Sequence, residues 1–162
     1  MDSVDRLRAD WEREAPRLDV APIAVAGRIT RIAALLDARA EAALAAAGLT
    51  RGEFDVLCAL RRAGRALRAA EVSTITAASP AAITKRADTL VRAGLVARAI
   101  PHRDRRGVLL ELTAEGRAAV DRLMPEHLAR EADALGGLGA GEAEALATLL
   151  SRVLVRVEGG AG

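Results

Sequence analysis

Apolar residues recur at spacings of three and four through most of this chain, which predicts a succession of amphipathic helices. Residues 2–14 form the first, with Val4, Leu7, Arg8 and Trp11 on one face, and Pro16 ends it. A second helix starts between Asp19 and Pro22, since proline is tolerated in a first turn. Its stripe of Val25, Ile29, Ile32, Ala33 and Leu36 runs on to Gly48, a C-terminal stop. At 1.5 Å per residue such a helix is about 40 Å long. The small region behind it is too short to cover that length, so the stripe predicts a partner chain. Thr50 then caps a helix carrying Phe54, Leu57 and Leu60, with Glu53 completing a capping box. A shorter helix over 69–76 turns Val72 and Ile75 inward.

From residue 79 the period changes. Ser79 caps a helix with Pro80 at its first position, and Ile83, Ala87, Leu90 and Val91 mark the buried face. Gly94 closes it. Residues 95–100 and 108–112 are short apolar strands, joined through the arginine-rich turn 102–107. Thr113 caps a further helix that Pro125 interrupts and that ends near Gly136–Gly137. The last helix, about 142–158, carries Leu146, Leu149, Leu150, Val153, Leu154 and Val157. Left bare, that stripe invites aggregation, so it predicts a second copy of the chain packed on it.

The pattern is that of a mainly α winged helix-turn-helix fold, with a small two- to three-stranded β wing and long N- and C-terminal dimerisation helices. Residues 1–48 hold the N-terminal dimerisation helices, 49–113 the DNA-binding region and 114–162 the C-terminal dimerisation helices, all within one continuous fold. Composition agrees. Of 162 residues 51% are hydrophobic but only 1% aromatic, namely Trp11 and Phe54. Burial therefore falls to Ala, Leu and Val, which suits packed helices better than a β-sandwich.

Charge sharpens the picture. The chain carries a net +2, yet residues 79–107 alone carry +5 and leave −3 for the remainder. Positive charge gathered on one helix and the hairpin after it is the footprint of a phosphate-binding surface. One cysteine, Cys58, excludes an internal disulfide, and its place beside Leu57 makes it a packed thiol. No apolar run approaches the roughly 18 residues of a membrane span, and no signal pattern opens the chain, so a cytoplasmic protein without membrane contact is expected. His102 and His127 do not cluster as metal ligands do. No phosphate loop, metalloprotease motif or nucleophile elbow is present. No enzymatic activity, metal or cofactor is expected.

Double-stranded DNA is the predicted partner. Ser79 and the free amides behind it offer an anion site for a phosphate. Ala81, Ala82, Thr84 and Lys85 are placed for the major groove, and Arg86 for the backbone. In the wing, Arg103, Arg105 and Arg106 surround Asp104. An arginine reaching into a narrow minor groove needs a carboxylate to hold its guanidinium, so Asp104 is the buttress and Arg106 the inserted side chain.

These segments, SPAAITKRADTLVRAGLV and HRDRRGVLLELTAEG, preceded by LTRGEFDVLCALRRAG, resemble the MarR family of bacterial winged-helix transcription regulators. With its flanking helices the resemblance spans nearly the whole chain. It implies a triangular homodimer, a palindromic operator and repression relieved by a small ligand. RADWEREAPRLD, EFDVL and GLVAR look like the branch of that family that responds to urate and related purine metabolites. By that resemblance Trp11, Asp55 and Arg98 hold the ligand. Trp11 supplies a stacking face, Arg98 binds an anionic heterocycle, and Asp55 repels or hydrogen-bonds it. Arg98 then faces towards Asp55 and Trp11, and a ligand that repositions it moves the helix before it. Two alternatives stay open: a regulator of the same fold sensing phenolic or lipophilic compounds, and a helical interaction module that does not bind DNA. Lys85 stands where small polar residues are frequent, so no operator sequence carries over.

Overall fold

The structure, a computed structural model, describes residues 1–99 and 108–160. It divides into two compact units, Met1–Val120 and Asp121–Gly162. The first unit opens with α1 (Ser3–Glu14) and α2 (Ile23–Ala45), followed by α3 (Arg51–Ala63), β1 (Leu67–Arg68), α4 (Ala69–Thr76) and α5 (Pro80–Arg92). Then come β2 (Val96–Ala99), β3 (Leu109–Leu112) and α6 (Ala114–Ala134), and the division between units falls within α6. The final helix is α7 (Ala140–Gly159). No helix among the described residues is long and apolar enough to cross a membrane.

Local chemistry accounts for the helix starts. Asp2 caps α1, accepting from the amides of Val4 at 2.8 Å and Asp5 at 3.0 Å. Thr50 accepts from the Glu53 amide at 3.2 Å while Glu53 Oε2 takes the Thr50 amide at 2.9 Å, so the expected capping box forms. α1 is tied to α2 by Arg28, which donates to Asp2 at 2.9 Å and to Asp5 at 2.5 Å. Backbone amides, that of Asp5 on the Asp2 carboxyl and that of Asp2 on the Asp5 carboxyl, hold both groups below their usual range, and the Arg28 bonds add to it.

The core of the first unit lies where α3, α4 and α5 meet the sheet. Phe54, Val56 and Leu57 of α3, Val72 of α4, Ile83 and Leu90 of α5, and Leu110 of β3 are all buried. The three strands are antiparallel in the order β1-β3-β2, with Leu67 opposite Leu110 and Val96 opposite Leu112. β1 has no counterpart in the sequence pattern, because two residues cannot display alternation. Its pairing with β3 defines it.

The Leu-Thr-x-Glu-Gly stretch fastens α6 to the foot of the sheet. Thr113 Oγ1 donates to the Gly94 carbonyl at 2.7 Å and accepts from the Gly116 amide at 3.0 Å. A Cβ on Gly116 would run into the Leu95 carbonyl oxygen, so only glycine permits this approach.

Two local expectations need correction. Pro125 does not interrupt α6, which runs unbroken from Ala114 to Ala134. A proline removes one hydrogen bond and strains one turn, at about 3 kcal/mol, and the turns on either side carry the helix through. Ile75 is exposed, although it shares a helical face with Val72, the residue that α4 buries. The last helix, expected from about residue 142, begins at Ala140, where Glu142 Oε2 accepts the Gly139 amide at 2.7 Å in place of a capping hydroxyl. In the second unit α7 buries no residue, and its leucine and valine stripe is 40% to 66% exposed from Leu146 to Val157.

Candidate nucleic-acid interface

α4, a tight turn and α5 form the helix-turn-helix. Ala77 ends α4 in the left-handed region at φ 51°, and the Ala78 amide bonds back to the Ser73 carbonyl at 3.2 Å. The Ser73 hydroxyl donates to the Ala78 carbonyl at 2.5 Å, so the turn is tied in both directions. Ser79 then caps α5, accepting from the Ala82 amide at 3.3 Å, with Pro80 at the first helical position. Ile83, Ala87 and Leu90 anchor α5 on the core, as their spacing predicted. Val91, expected beside them, is half-buried.

The outward face of α5 carries Ala81, Thr84 and Lys85, all exposed, with Ala82 half-buried at its edge. The Thr84 hydroxyl donates to the Pro80 carbonyl at 3.0 Å, which leaves its oxygen lone pairs as acceptors. Lys85 is the single lysine of the chain and stands clear of the surface. Arg86 behaves differently. It is half-buried, and its guanidinium lies across Gly52 on the first turn of α3.

β2 leaves α5 and returns antiparallel as β3, giving the hairpin of a wing. Its expected DNA-contacting tip, Arg103, Asp104, Arg105 and Arg106, lies outside the described residues, as does His102. At the base of the hairpin Arg98 Nη2 donates to Asp88 Oδ1, joining β2 directly to α5.

The three residues assigned to a ligand occupy different elements. Trp11 is on α1 and 46% exposed, which leaves an indole face open. Asp55 is on α3, where it accepts from Arg51 Nε at 3.0 Å. Arg51 also lies 3.7 Å from Asp37 of α2, and its amide donates to Glu41 at 2.6 Å. Arg98 is paired with Asp88, so Asp55 and Arg98 sit in two separate ion pairs in place of the shared arrangement the sequence suggested. Arg51 meets Asp55 with little ordering because it stands one turn away on the same helix. The i,i+4 spacing of Arg51 and Asp55 was the available signal for this. Nothing in the sequence pattern pointed to Asp88 or Gly52.

The remaining reactive groups are enclosed. Burial, then the nearby Asp55 charge, pushes the Cys58 thiol up to about 11. His127 is buried with Nε2 3.1 Å from Glu131. Among the described residues no cluster of three His, Cys, Asp or Glu could hold a metal ion.

Known proteins share this arrangement. A model of the MarR family matches residues 47–107, a segment that includes α3, β1, α4, α5 and β2. The HTH-type transcriptional regulator PecS of Dickeya dadantii is 34% identical over 152 residues, covering 93% of this chain and 92% of PecS. Among solved structures, BpsR of Bordetella bronchiseptica, whose DNA binding is regulated by 6-hydroxynicotinic acid, superposes with a TM-score of 0.72. It is 31% identical and covers 80% of this chain and 91% of its own. Wild-type MarR of E. coli superposes with a TM-score of 0.67 at 26% identity, covering 80% and 96%. With PecS 34% identical over more than nine-tenths of both chains and the capped helix-turn-helix and the β2–β3 pair in place, the chain belongs to the MarR family of DNA-binding winged-helix transcription regulators.

Proposed function

We propose that this regulator acts as a homodimeric repressor, released from a palindromic operator by a small anionic aromatic ligand such as urate or a related purine metabolite. The observation that carries this reading is the Arg98–Asp88 pair. Arg98 is the cation expected to meet an anionic heterocycle, and its present partner belongs to α5. A ligand that takes Arg98 must first take it from Asp88, so binding and the attachment of the wing to α5 compete for one guanidinium. The half-exposed Trp11 indole supports the aromatic part of the assignment. The effector of BpsR, a heteroaromatic carboxylic acid, is of the same chemical class.

The bare apolar stripe of α7 supports the dimer, because a second copy of the same helix is the simplest cover for it. In such a dimer the two α5 helices enter successive major grooves about 34 Å apart. Ser79 offers its helix terminus to a phosphate, Ala81, Ala82, Thr84 and Lys85 meet the groove, and Arg106 enters the minor groove with Asp104 behind it.

A second reading has its own support. α1 and α2 enclose an open cleft of about 660 Å³ walled by Val4, Leu7, Ile23, Ala26 and Ala34, which suits a phenolic or lipophilic effector. One mobility-shift series separates the two. The DNA upstream of the protein's own gene is titrated with the dimer, and urate, 6-hydroxynicotinic acid and an uncharged phenol such as thymol are then added to the shifted complex. Release by either of the first two supports the anionic-aromatic reading, and release by the uncharged phenol alone replaces it with the cleft. A monomer by light scattering at micromolar concentration removes the dimer. A shift indifferent to salt removes phosphate binding altogether.

A further inference from the structure

Glycine is a poor helix former, and Gly52 at the second position of α3 has no turn to make. Its neighbourhood supplies the reason. A Cβ at Gly52 would collide with Cζ, Nε and Nη2 of Arg86, so the guanidinium lies flat over the bare Cα. Arg86 makes no hydrogen bond or ion pair among the described residues, while its neighbours Arg92 and Arg98 are both engaged. The N-terminal end of a helix carries partial positive charge and does not attract a cation. What keeps Arg86 there is fit: a planar group occupying a gap that exists because residue 52 has no side chain.

We infer that Arg86 is a positioning residue, seated on Gly52 to set the rotation and height of α5 on α3, and not a phosphate ligand. The exposed groove-facing residues Thr84 and Lys85 precede it directly on the same helix, so the seat determines how deeply they reach. The colliding atoms belong to the far end of a flexible side chain, which can swing away at little cost. Gly52→Ala therefore unseats Arg86 without damaging the core, and replaces glycine with a better helix former.

This inference rests on α5 being the major-groove helix, and the test separates the two. The full-length protein, Gly52→Ala, Arg86→Ala, the double variant and Lys85→Ala are titrated against two probes. One is a duplex that the protein itself selects from a random library, and the other is a scrambled duplex of equal length. Melting temperature and the dependence of affinity on salt are measured alongside. Gly52→Ala is expected to melt at the same or a higher temperature while losing about tenfold in affinity for the selected duplex, the scale of one good base contact. Scrambled-duplex affinity and the salt slope stay unchanged for Gly52→Ala, and the double variant binds no worse than Arg86→Ala.

A silent Gly52→Ala beside an Arg86→Ala that flattens the salt slope by about two per dimer makes Arg86 a phosphate ligand, and overturns the inference. Affinity losses that merely track losses in melting temperature overturn it as well. If Lys85→Ala leaves both duplexes bound as before, α5 is not the groove helix, and the reading beneath the inference fails first.

Discussion

Asp88→Asn is the most direct probe of the coupling between wing and recognition helix, because it removes the charge that holds Arg98 and preserves the shape of the side chain. The side chains of Arg98 and Asp88 are 45% and 47% exposed. That places the pair among solvent-exposed ion pairs, worth about 0.2–1 kcal/mol and no more. Two consequences follow from one figure. Stability falls by at most about 1 kcal/mol. A ligand that binds Arg98 no longer displaces Asp88, so its affinity rises by the same free energy, about 1.4- to 5-fold. The assay is quenching of Trp11 fluorescence by urate and by 6-hydroxynicotinic acid without DNA, with urea unfolding of both proteins in parallel. Arg98→Ala identifies which ligand depends on Arg98. For that ligand, an affinity that is unchanged or lower in Asp88→Asn refutes the competition. A stability loss above about 2 kcal/mol refutes the assignment to the exposed class.

Two further outcomes are expected. Ile83 is fully buried beneath α5, and Ile83→Ala deletes three carbons at about 0.8 kcal/mol each, plus the cavity left behind, for a total of about 3–4 kcal/mol. Ile83→Val costs only about 0.5–1.5 kcal/mol. Urea midpoints measure both, and near-equal losses would show that the site collapses around the missing atoms. Cys58 bears on pH. Its folded-state value of about 11 lies above the ordinary 9.0, so between those two pH values the unfolded chain loses the thiol proton and the folded one keeps it. Stability therefore declines as pH rises through that window. With no tyrosine and a single lysine in the chain, few other groups titrate there. Cys58→Ala should flatten the decline between pH 8.5 and pH 10.5 in urea unfolding (about the window's span); a slope that persists assigns it to another group. The native thiol should also resist alkylation at pH 8 and react freely once unfolded.

The parts of this molecule governed by nearby residues were legible in its sequence. Caps at Thr50, Ser79 and Thr113 act within one turn, so a short string of letters contains both donor and acceptor. The burial of Ile83, Ala87 and Leu90 follows from helical spacing alone. Spacing also foretold the antiparallel pair β2 and β3, and with the basic charge of residues 79–107 it marked the segment proposed to read DNA. Other features were decided by packing between elements distant in sequence. β1 exists only because β3 lies beside it. Pro125 stays inside a continuous helix because the turns around it outweigh one lost hydrogen bond. Ile75 shares a helical face with Val72 but is left exposed, because the packing that covers Val72 does not extend to it. The candidate ligand site shows the same division. Trp11, Asp55 and Arg98 could be named from the sequence, but their partners could not, since an ion pair forms with whichever opposite charge the fold brings within reach. For Asp55 that charge is Arg51, and for Arg98 it is Asp88. Gly52 marks the same boundary: glycine is visible in the sequence, and the arginine that needs its missing side chain is visible only when α3 and α5 are packed together.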